Sequence, residues 1–142
     1  MSEPKRPKRF EPAESELTQP FWSATRERRL VLQWCNACRQ PVHYPRECCP
    51  RCMSADHLDW KQASGRGEVY ACSVMHRAGS PFMADRVPYV VALVQLEEGA
   101  RLMTNIVGCE PSAVRVGMPV SVTWEELTDG RALPQFEPRA SA

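Results

Sequence analysis

Five of the seven cysteines in this chain fall within nineteen positions, in the stretch WCNACRQPVHYPRECCPRC of residues 34–52. Two Cys-x-x-Cys pairs stand out: Cys35 with Cys38, and Cys49 with Cys52, with ten residues between them. Each pair can direct two thiolates at one point, so two facing pairs supply the four corners of a tetrahedral zinc site. A four-cysteine site has no open position, and we therefore expect the zinc to be structural.

Redox chemistry and disulfide bonding are the alternatives to metal binding. One Cys-x-x-Cys pair also fits a thioredoxin-like motif, but two pairs around a short insert favour zinc. Disulfides persist in oxidising compartments, whereas the N-terminal stretch MSEPKRPKRFEPAESELTQP lacks the apolar segment of a signal peptide. No run approaches the roughly 20 apolar residues that span a bilayer. We expect a cytoplasmic protein with no membrane association. Cys48 is expected not to bind the zinc ion.

The charge distribution disfavours nucleic acid as a partner. Residues 1–9 carry Lys5, Arg6, Lys8 and Arg9 against Glu3, but residues 53–142 contain eight Lys or Arg against eleven Asp or Glu. A phosphate-binding face needs the opposite balance. The arginines around the cysteines are explained more simply, because they offset the negative charge of four thiolates around one zinc ion.

The chain is predicted to be mainly β, with an N-terminal helix, a rubredoxin-like zinc ribbon and a five-stranded OB-type barrel. Thr18 can cap a helix whose first turn admits Pro20 and whose apolar face carries Phe21 and Trp22. This face either packs on its own domain or docks on a partner. The predicted segments are a disordered arm (1–18), a docking helix (19–29), a zinc ribbon (30–61), the barrel (62–138) and a tail (139–142).

Segments rich in β-branched or aromatic residues and bounded by Gly or Pro predict the strands. LVLQWC and HLDWKQ flank the cysteines, and GRGEVYACSVMHR, PYVVALVQL, RLMTNIV, PVSVTWEEL and a short LPQF supply five more. Glu97-Glu98-Gly99 is a hairpin turn in which Gly99 can take positive φ. Five antiparallel strands around one core are typical of a small Greek-key barrel of the OB type.

Several motifs in a fixed order carry a family resemblance. They are Phe21-Trp22, Pro45-Arg46, the second cysteine pair in Cys49-Pro50-Arg51-Cys52, Gly65-Arg66-Gly67-Glu68-Val69, Pro88-Tyr89, Gly117-Met118-Pro119-Val120 and Leu133-Pro134-Gln135-Phe136. Over roughly residues 20–138 the chain resembles the acyl-CoA-associated zinc-ribbon and OB-fold family, long catalogued as a domain of unknown function. The family often has glycine after each cysteine pair, where this chain has Arg39 and Met53, and glycine before the first strand, where it has Arg28 and Arg29.

The resemblance implies an accessory subunit rather than an independent catalyst. Its expected partner is a thiolase-like homodimer, such as a steroid side-chain aldolase, in a heterotetramer that cleaves or forms a carbon–carbon bond on an acyl-CoA. The residue pattern also disfavours independent catalysis, because it offers no activated nucleophile. The three histidines, His43, His57 and His76, are scattered along the chain, and Cys72 and Cys109 fit core or edge positions of strands. The alternative function is a single-stranded nucleic-acid-binding OB module, which would need aromatic and basic residues interleaved on the strand faces.

Residues 76–88 form a connection longer than a hairpin requires, and long loops in compact domains are usually functional. Apolar residues at its tip lie between two arginines, so the loop could cover a pantetheine arm while the cations meet its phosphates. It could equally fold onto the core of the barrel. The candidate contacts to acyl-CoA or partner are Phe21, Trp22, Arg46, Arg77, Phe82, Met83, Arg86 and Tyr89.

Overall fold

A computed structural model describes residues 8–140 and gives one helix and eight strands in those residues. None of the helices in this range is long and apolar enough to cross a membrane. Short 3-10 helices at Pro81–Met83 and Pro111–Ala113 interrupt the connections. The elements are α1 (Gln19–Arg26), β1 (Val31–Cys35), β2 (Gln40–Val42), β3 (Leu58–Gln62), β4 (Arg66–Met75), β5 (Tyr89–Leu96), β6 (Arg101–Ile106), β7 (Pro119–Glu126) and β8 (Ala132–Pro138).

The first three strands form the ribbon, an antiparallel sheet in the order β2-β1-β3. The central strand β1 is buried along most of its length, and its Leu32 belongs to the same hydrophobic cluster as the barrel residues. The last residue of β1 is Cys35, so the strand ends directly at the first cysteine pair.

The remaining five strands close into a barrel in the order β4-β5-β6-β8-β7, which confirms the predicted OB-type architecture. One pairing differs from the predicted antiparallel arrangement, because β6 and β8 run parallel where they close the barrel. The strict alternation of β5 places Val90, Ala92, Val94 and Leu96 inside, as a period of two requires for a strand with one buried face. Phe136 of β8 is fully buried among them. The barrel is the main hydrophobic core of the described residues.

Two glycines are required by the geometry of the barrel. At Gly67, a Cβ atom would lie 2.5 Å from the carbonyl oxygen of Gln95 on the neighbouring strand, so only glycine allows this close approach. Gly99 has a φ of 100° in the turn between β5 and β6, as expected for the Glu97-Glu98-Gly99 hairpin.

The helix ends earlier than its sequence predicts, at Arg26 instead of near Arg29. The backbone N–H of Arg29 donates to the carbonyl of Ala24 and that of Arg28 to the carbonyl of Thr25, both at 3.0 Å. This pair of bonds is a Schellman motif, and it places Arg28 at a positive φ of 57°. At the other end, the Thr18 hydroxyl pairs with Ser15 and does not cap the helix.

The apolar face of the helix packs on its own barrel, which is one of the two roles considered from the sequence. Trp22, Ala24 and Thr25 are buried. The Thr25 hydroxyl donates to the carbonyl of Trp22 at 2.6 Å and accepts the backbone N–H of Ala132 at 3.2 Å, which ties α1 to β8. The face assigned to docking by the sequence is therefore covered within the chain, and Phe21 at its edge stays half-buried.

The N-terminal arm differs from the disordered segment expected over residues 1–18. Arg9 forms a 2.8 Å ion pair with Glu125, and the Glu11 carboxylate accepts from both the backbone N–H and the hydroxyl of Thr128 at 2.9 Å. The carbonyl of Pro12 accepts from the guanidinium of Arg131. Sequence composition missed these contacts because each depends on a partner more than a hundred residues away. Residues 1–7 of the predicted arm, and residues 141–142 of the predicted tail, lie outside the described range.

Candidate functional site

The four paired cysteines converge at the end of β1. Their sulfur atoms all lie within 4.8 Å of one another. The Sγ atoms of Cys35 and Cys52 are 3.8 Å apart, and those of Cys38 and Cys49 are 3.9 Å apart. A tetrahedral zinc ion with Zn–S bonds of about 2.3 Å separates its sulfur ligands by about 3.8 Å. These residues therefore fit a structural zinc ion with no vacant coordination position.

The backbone around the cysteines forms hydrogen bonds with their sulfur atoms. Backbone N–H groups donate to sulfur at 3.4 Å, from Cys38 to Cys35 and from Arg51 to Cys49. Hydrogen bonds from the backbone at Cys52 and Arg51 lower the pKa of Cys49 to about 7. Desolvation, with added hydrogen bonds to the other thiols, raises the pKa of Cys38 to about 12. Zinc binding would therefore release protons from this cluster, because zinc binds the thiolate form.

Three residues near these turns adopt the left-handed conformation although they have a Cβ atom. Arg39 and Met53, which follow the two cysteine pairs, have φ values of 54° and 62°, and Arg28 before β1 has 57°. These are three of the four positions where the resembled family often has glycine. Each of these three residues therefore carries the steric cost of a Cβ atom in the left-handed region, which glycine would avoid.

A second feature is a pocket of about 250 Å³ where the helix, the ribbon and the barrel meet. It is lined by Thr18, by Phe21 and Trp22 of α1, and by residues 43–45, 102–105 and 133–135. The pocket lies beside the single parallel pair that joins β6 to β8, Ile106 with Phe136, and the Thr104 hydroxyl at the pocket donates to the carbonyl of Pro134 at 2.8 Å. The Tyr44 hydroxyl accepts the backbone N–H of Met103 at 3.2 Å across the opening.

His43 is the unusual residue of this pocket. Its Nε2 atom is buried and has no hydrogen-bond partner among the described residues. Desolvation lowers the pKa of His43 to about 4, so the imidazole is neutral near pH 7. No sequence pattern singles out this histidine, because its environment is built from segments far apart in the chain.

Of the eight predicted contact residues, two line this pocket, Phe21 and Trp22. Arg46 and Arg77 have exposed side chains, and Met83 and Tyr89 are half-buried on either side of the turn that leads into β5. The structure therefore does not gather the predicted residues into one site. It separates them among the pocket, the loop of residues 76–88 with the adjoining start of β5, and the ribbon, where Arg46 lies.

A group of charges holds that loop to the barrel. Glu125 of β7 forms ion pairs with Arg86 at 2.6 Å and with Arg9 at 2.8 Å. Both guanidinium groups also lie over the ring of Phe82, 4.7 and 5.2 Å from its centre. The other carboxylate oxygen of Glu125 accepts from the amide of Gln135, which lines the pocket. We call these five residues the Glu125 cluster; it matches one carboxylate with two arginines.

Comparison with known proteins agrees with both domains of the structure. Residues 22–57 match the family model described as "ChsH2, rubredoxin-like zinc ribbon domain", and residues 60–125 match "ChsH2, C-terminal OB-fold domain". The chain is 37% identical over 110 residues to a "DUF35 domain-containing scaffold protein" of Methanocaldococcus jannaschii, covering 76% of this chain and 77% of that protein.

Two further relatives are larger proteins or parts of an assembly. The chain is 47% identical over 119 residues to a "Probable enoyl-CoA hydratase alpha subunit" of Thermomonospora curvata, which covers 83% of this chain but 36% of that protein. A solved chain described as "Ltp2-ChsH2(DUF35) aldolase" superposes with a TM-score of 0.80 at 44% identity, covering 90% of this chain and 98% of that one. Together with the zinc ribbon and the closed barrel, these likenesses show that the chain belongs to the DUF35 family.

Proposed function

We propose that this chain is an accessory subunit that binds a thiolase-like enzyme and helps to hold an acyl-CoA substrate. The reaction would cleave a carbon–carbon bond by a retro-aldol step or form one, with steroid side chains as one class of acyl group. The likeness to nearly the whole DUF35 chain of an aldolase assembly is the observation that carries the proposal.

The metal centre supports a non-catalytic role. Four sulfur ligands leave a tetrahedral zinc ion no position for water or a substrate carbonyl. The zinc therefore holds the ribbon together, and the chemistry is assigned to the partner. Each partner protomer of a two-fold dimer would bind one copy of this chain, which gives a heterotetramer.

The loop of residues 76–88 supports a role in holding CoA. In the Glu125 cluster the guanidinium groups of Arg9 and Arg86 both lie beside the ring of Phe82. The side chain of Arg77 at the start of the loop is exposed. Phosphate groups of CoA would meet cations here, whereas Phe82 offers apolar contact.

The outer face of the barrel disfavours the nucleic-acid alternative. Across β4, β5 and β6, the residues Ala71, Leu93 and Met103 lie in register and present an apolar row. The exposed ring of Tyr70 is covered by the guanidinium of Arg101, 3.7 Å from the ring centre. A single-stranded nucleic acid needs open aromatic rings on which bases stack.

The deciding experiment is to recover the tagged chain from its native lysate and identify its companions by mass spectrometry. A thiolase-like enzyme in comparable amount would support the proposal, and Cys48→Ser should recover the same enzyme. The purified pair is then assayed for cleavage of β-hydroxyacyl-CoA thioesters with short and steroid acyl groups. Recovery of nuclease-sensitive material with a high 260-to-280 nm absorbance ratio would overturn the proposal and favour nucleic-acid binding.

A further inference from the structure

Strand β4 has a stretch of edge that the barrel does not use. It pairs with β5 over residues 67–75 but with β7 only over residues 66–68. The last bonds on the β7 side join Val69 to Gly117 and Met118, at 2.8 and 3.0 Å. Beyond them, within residues 8–140, no backbone hydrogen bond joins residues 71–75 to any segment other than β5. We call the free side of residues 71–75 the β4 edge.

The register with β5 shows which backbone groups of the β4 edge point outward. The N–H of Glu97, directly after β5, donates to the carbonyl of Arg66 of β4 at 3.0 Å. Odd-numbered residues of β5 therefore bond to β4, because backbone groups alternate between the two sides of a strand. Their partners in the register are residues 71, 73 and 75. The N–H and C=O groups of Cys72 and Val74 consequently point away from β5.

The side chains of the β4 edge are unprotected as well. Cys72 lies opposite Ala92, which is 3% exposed inside the barrel, yet Cys72 itself is exposed. Residues 71–75, with the sequence ACSVM, contain no charge and no proline, the features by which natural proteins usually protect a free strand edge. An open edge of this kind is a site where another strand adds to the sheet.

We propose that a second copy of this chain adds its own β4 to this edge, antiparallel and about a two-fold axis at Ser73. Cys72 of one copy then lies opposite Val74 of the other, and each such pair exchanges both N–H···O bonds. The two Ser73 side chains lie opposite each other in the non-hydrogen-bonded pair between them. The inference does not rest on the proposed function, because it needs no partner enzyme.

The length of the β4 edge favours a second copy as the added strand. Gly117 and Met118 occupy the position beside Val69, so an added strand has to leave the sheet before that point. In the two-fold register, residue 77 of the second copy would lie opposite Val69, and β4 of that copy has already ended at Met75. A register centred on Cys72 brings Met75 opposite Val69 and clashes with Gly117. The axis at Ser73 therefore uses the whole edge without a change in the fold of either copy.

Sedimentation velocity of the full, zinc-loaded chain tests this pairing. One strand edge buries less than the roughly 1,600 Å² of a standard interface, so we expect a dimer with a Kd between about 10 μM and about 1 mM. Ser73→Lys should raise the Kd at least about fivefold, because two like charges then lie directly opposite each other, and Ser73→Glu should do the same. An equimolar mixture of the two variants should restore the dimer, which also shows that both are folded.

Met103→Lys is the matched control. Met103 is 62% exposed on the outer face of the barrel, two strands away from the β4 edge, so its replacement should leave the Kd unchanged. A chain that stays monomeric at every concentration would overturn the proposal. A dimer that survives in Ser73→Lys, or one that is lost in Met103→Lys, would also overturn it and would place the contact on another surface.

Cross-linking tests the register of the two strands. A non-hydrogen-bonded antiparallel pair holds its Cα atoms about 4.5 Å apart, which suits a disulfide. With oxidised glutathione, Ser73→Cys should form a covalent dimer, whereas Cys72 of the wild type, opposite Val74, should not. A covalent dimer through Cys72, with none gained in Ser73→Cys, would contradict the register. These results are separate from the proposed function, which fails if no thiolase-like enzyme accompanies the chain from the lysate.

Discussion

The buried side chain of Gln33 holds the backbone of Arg46 with both groups of its amide. Its Nε2 donates to the carbonyl of Arg46 at 2.9 Å, and its Oε1 accepts the Arg46 N–H at 2.7 Å. Gln33 is 4% exposed in the middle of β1. This reciprocal pair fixes the segment that follows β2, and with it the His43 and Tyr44 wall of the pocket. The sequence predicted that the side chain of Arg46 contacts acyl-CoA or a partner, whereas the contact seen in the structure is made by its backbone N–H and carbonyl groups.

Replacing Gln33 with leucine should destabilise the protein by about 1–3 kcal/mol, because two backbone groups of Arg46 lose their partners. Urea unfolding followed by circular dichroism measures this change. Gln40→Leu is the matched control, since Gln40 lies exposed on the neighbouring strand and should change stability by less than about 0.5 kcal/mol. Equal effects of the two substitutions would contradict the role assigned to the amide.

Cys38→Ser should abolish stoichiometric zinc binding, whereas Cys48→Ser should leave one zinc ion per chain, as measured by inductively coupled plasma mass spectrometry. Cys38 contributes one of the four converging sulfur atoms and Cys48 does not. Without zinc, amide protons of β1–β3 should lose protection from hydrogen exchange, because the ribbon is too small to fold alone. The barrel should keep its protection, since it has its own core around Phe136. Loss of zinc from Cys48→Ser would refute this ligand assignment.

Met53→Gly should stabilise the protein by about 0.5–1 kcal/mol, because glycine adopts positive φ without strain. The side chain of Met53 is 71% exposed, so little packing is lost. Arg28→Gly should give no such gain. Its guanidinium donates to the carbonyl of Thr25 at 2.9 Å and pairs with Glu126, and these contacts disappear. Thermal unfolding of both variants, with Met53→Ala as a control that keeps the strain, checks the contrast.

Glu125→Gln should loosen the N-terminal arm and lower stability at pH 7 by about 1 kcal/mol. Burial raises the pKa of Glu125, but hydrogen bonds and charge from Arg86 and Arg9 outweigh burial, and the net pKa lies below its usual value. The stabilisation is therefore complete above the unfolded-state pKa of about 4.3 and is lost as the pH falls through the lower folded-state value.

Unfolding measurements between about pH 3 and pH 7 test the sign of this dependence. The difference in unfolding free energy between wild type and Glu125→Gln should shrink toward the acid end. Limited proteolysis near Arg9 should be faster in the variant at pH 7. A difference that grows as the pH falls would contradict the pairing of Glu125 with the two arginines.

Local rules determined much of this protein from the sequence. The spacing of the paired cysteines identified the zinc ligands. Each Cys-x-x-Cys turn brings two sulfur atoms together by local backbone geometry, which depends only on neighbouring residues. The β-branched or aromatic residues of segments such as PYVVALVQL, bounded by Gly or Pro, identified the barrel strands. Comparison with the resembled family singled out Arg28, Arg39 and Met53 as positions where glycine is common, and all three have positive φ.

Only the tertiary structure decided which distant residues meet. Glu125 joins Arg9, Arg86 and Gln135, and the pocket brings His43 beside Phe21 and Leu133. The reason is physical: strand periodicity fixes which face of a segment is buried, but not how far β6 and β8 separate once the barrel closes. The single pair that joins β6 to β8, Ile106 with Phe136, and the burial of Nε2 of His43 follow from that closure and have no local signal in the sequence.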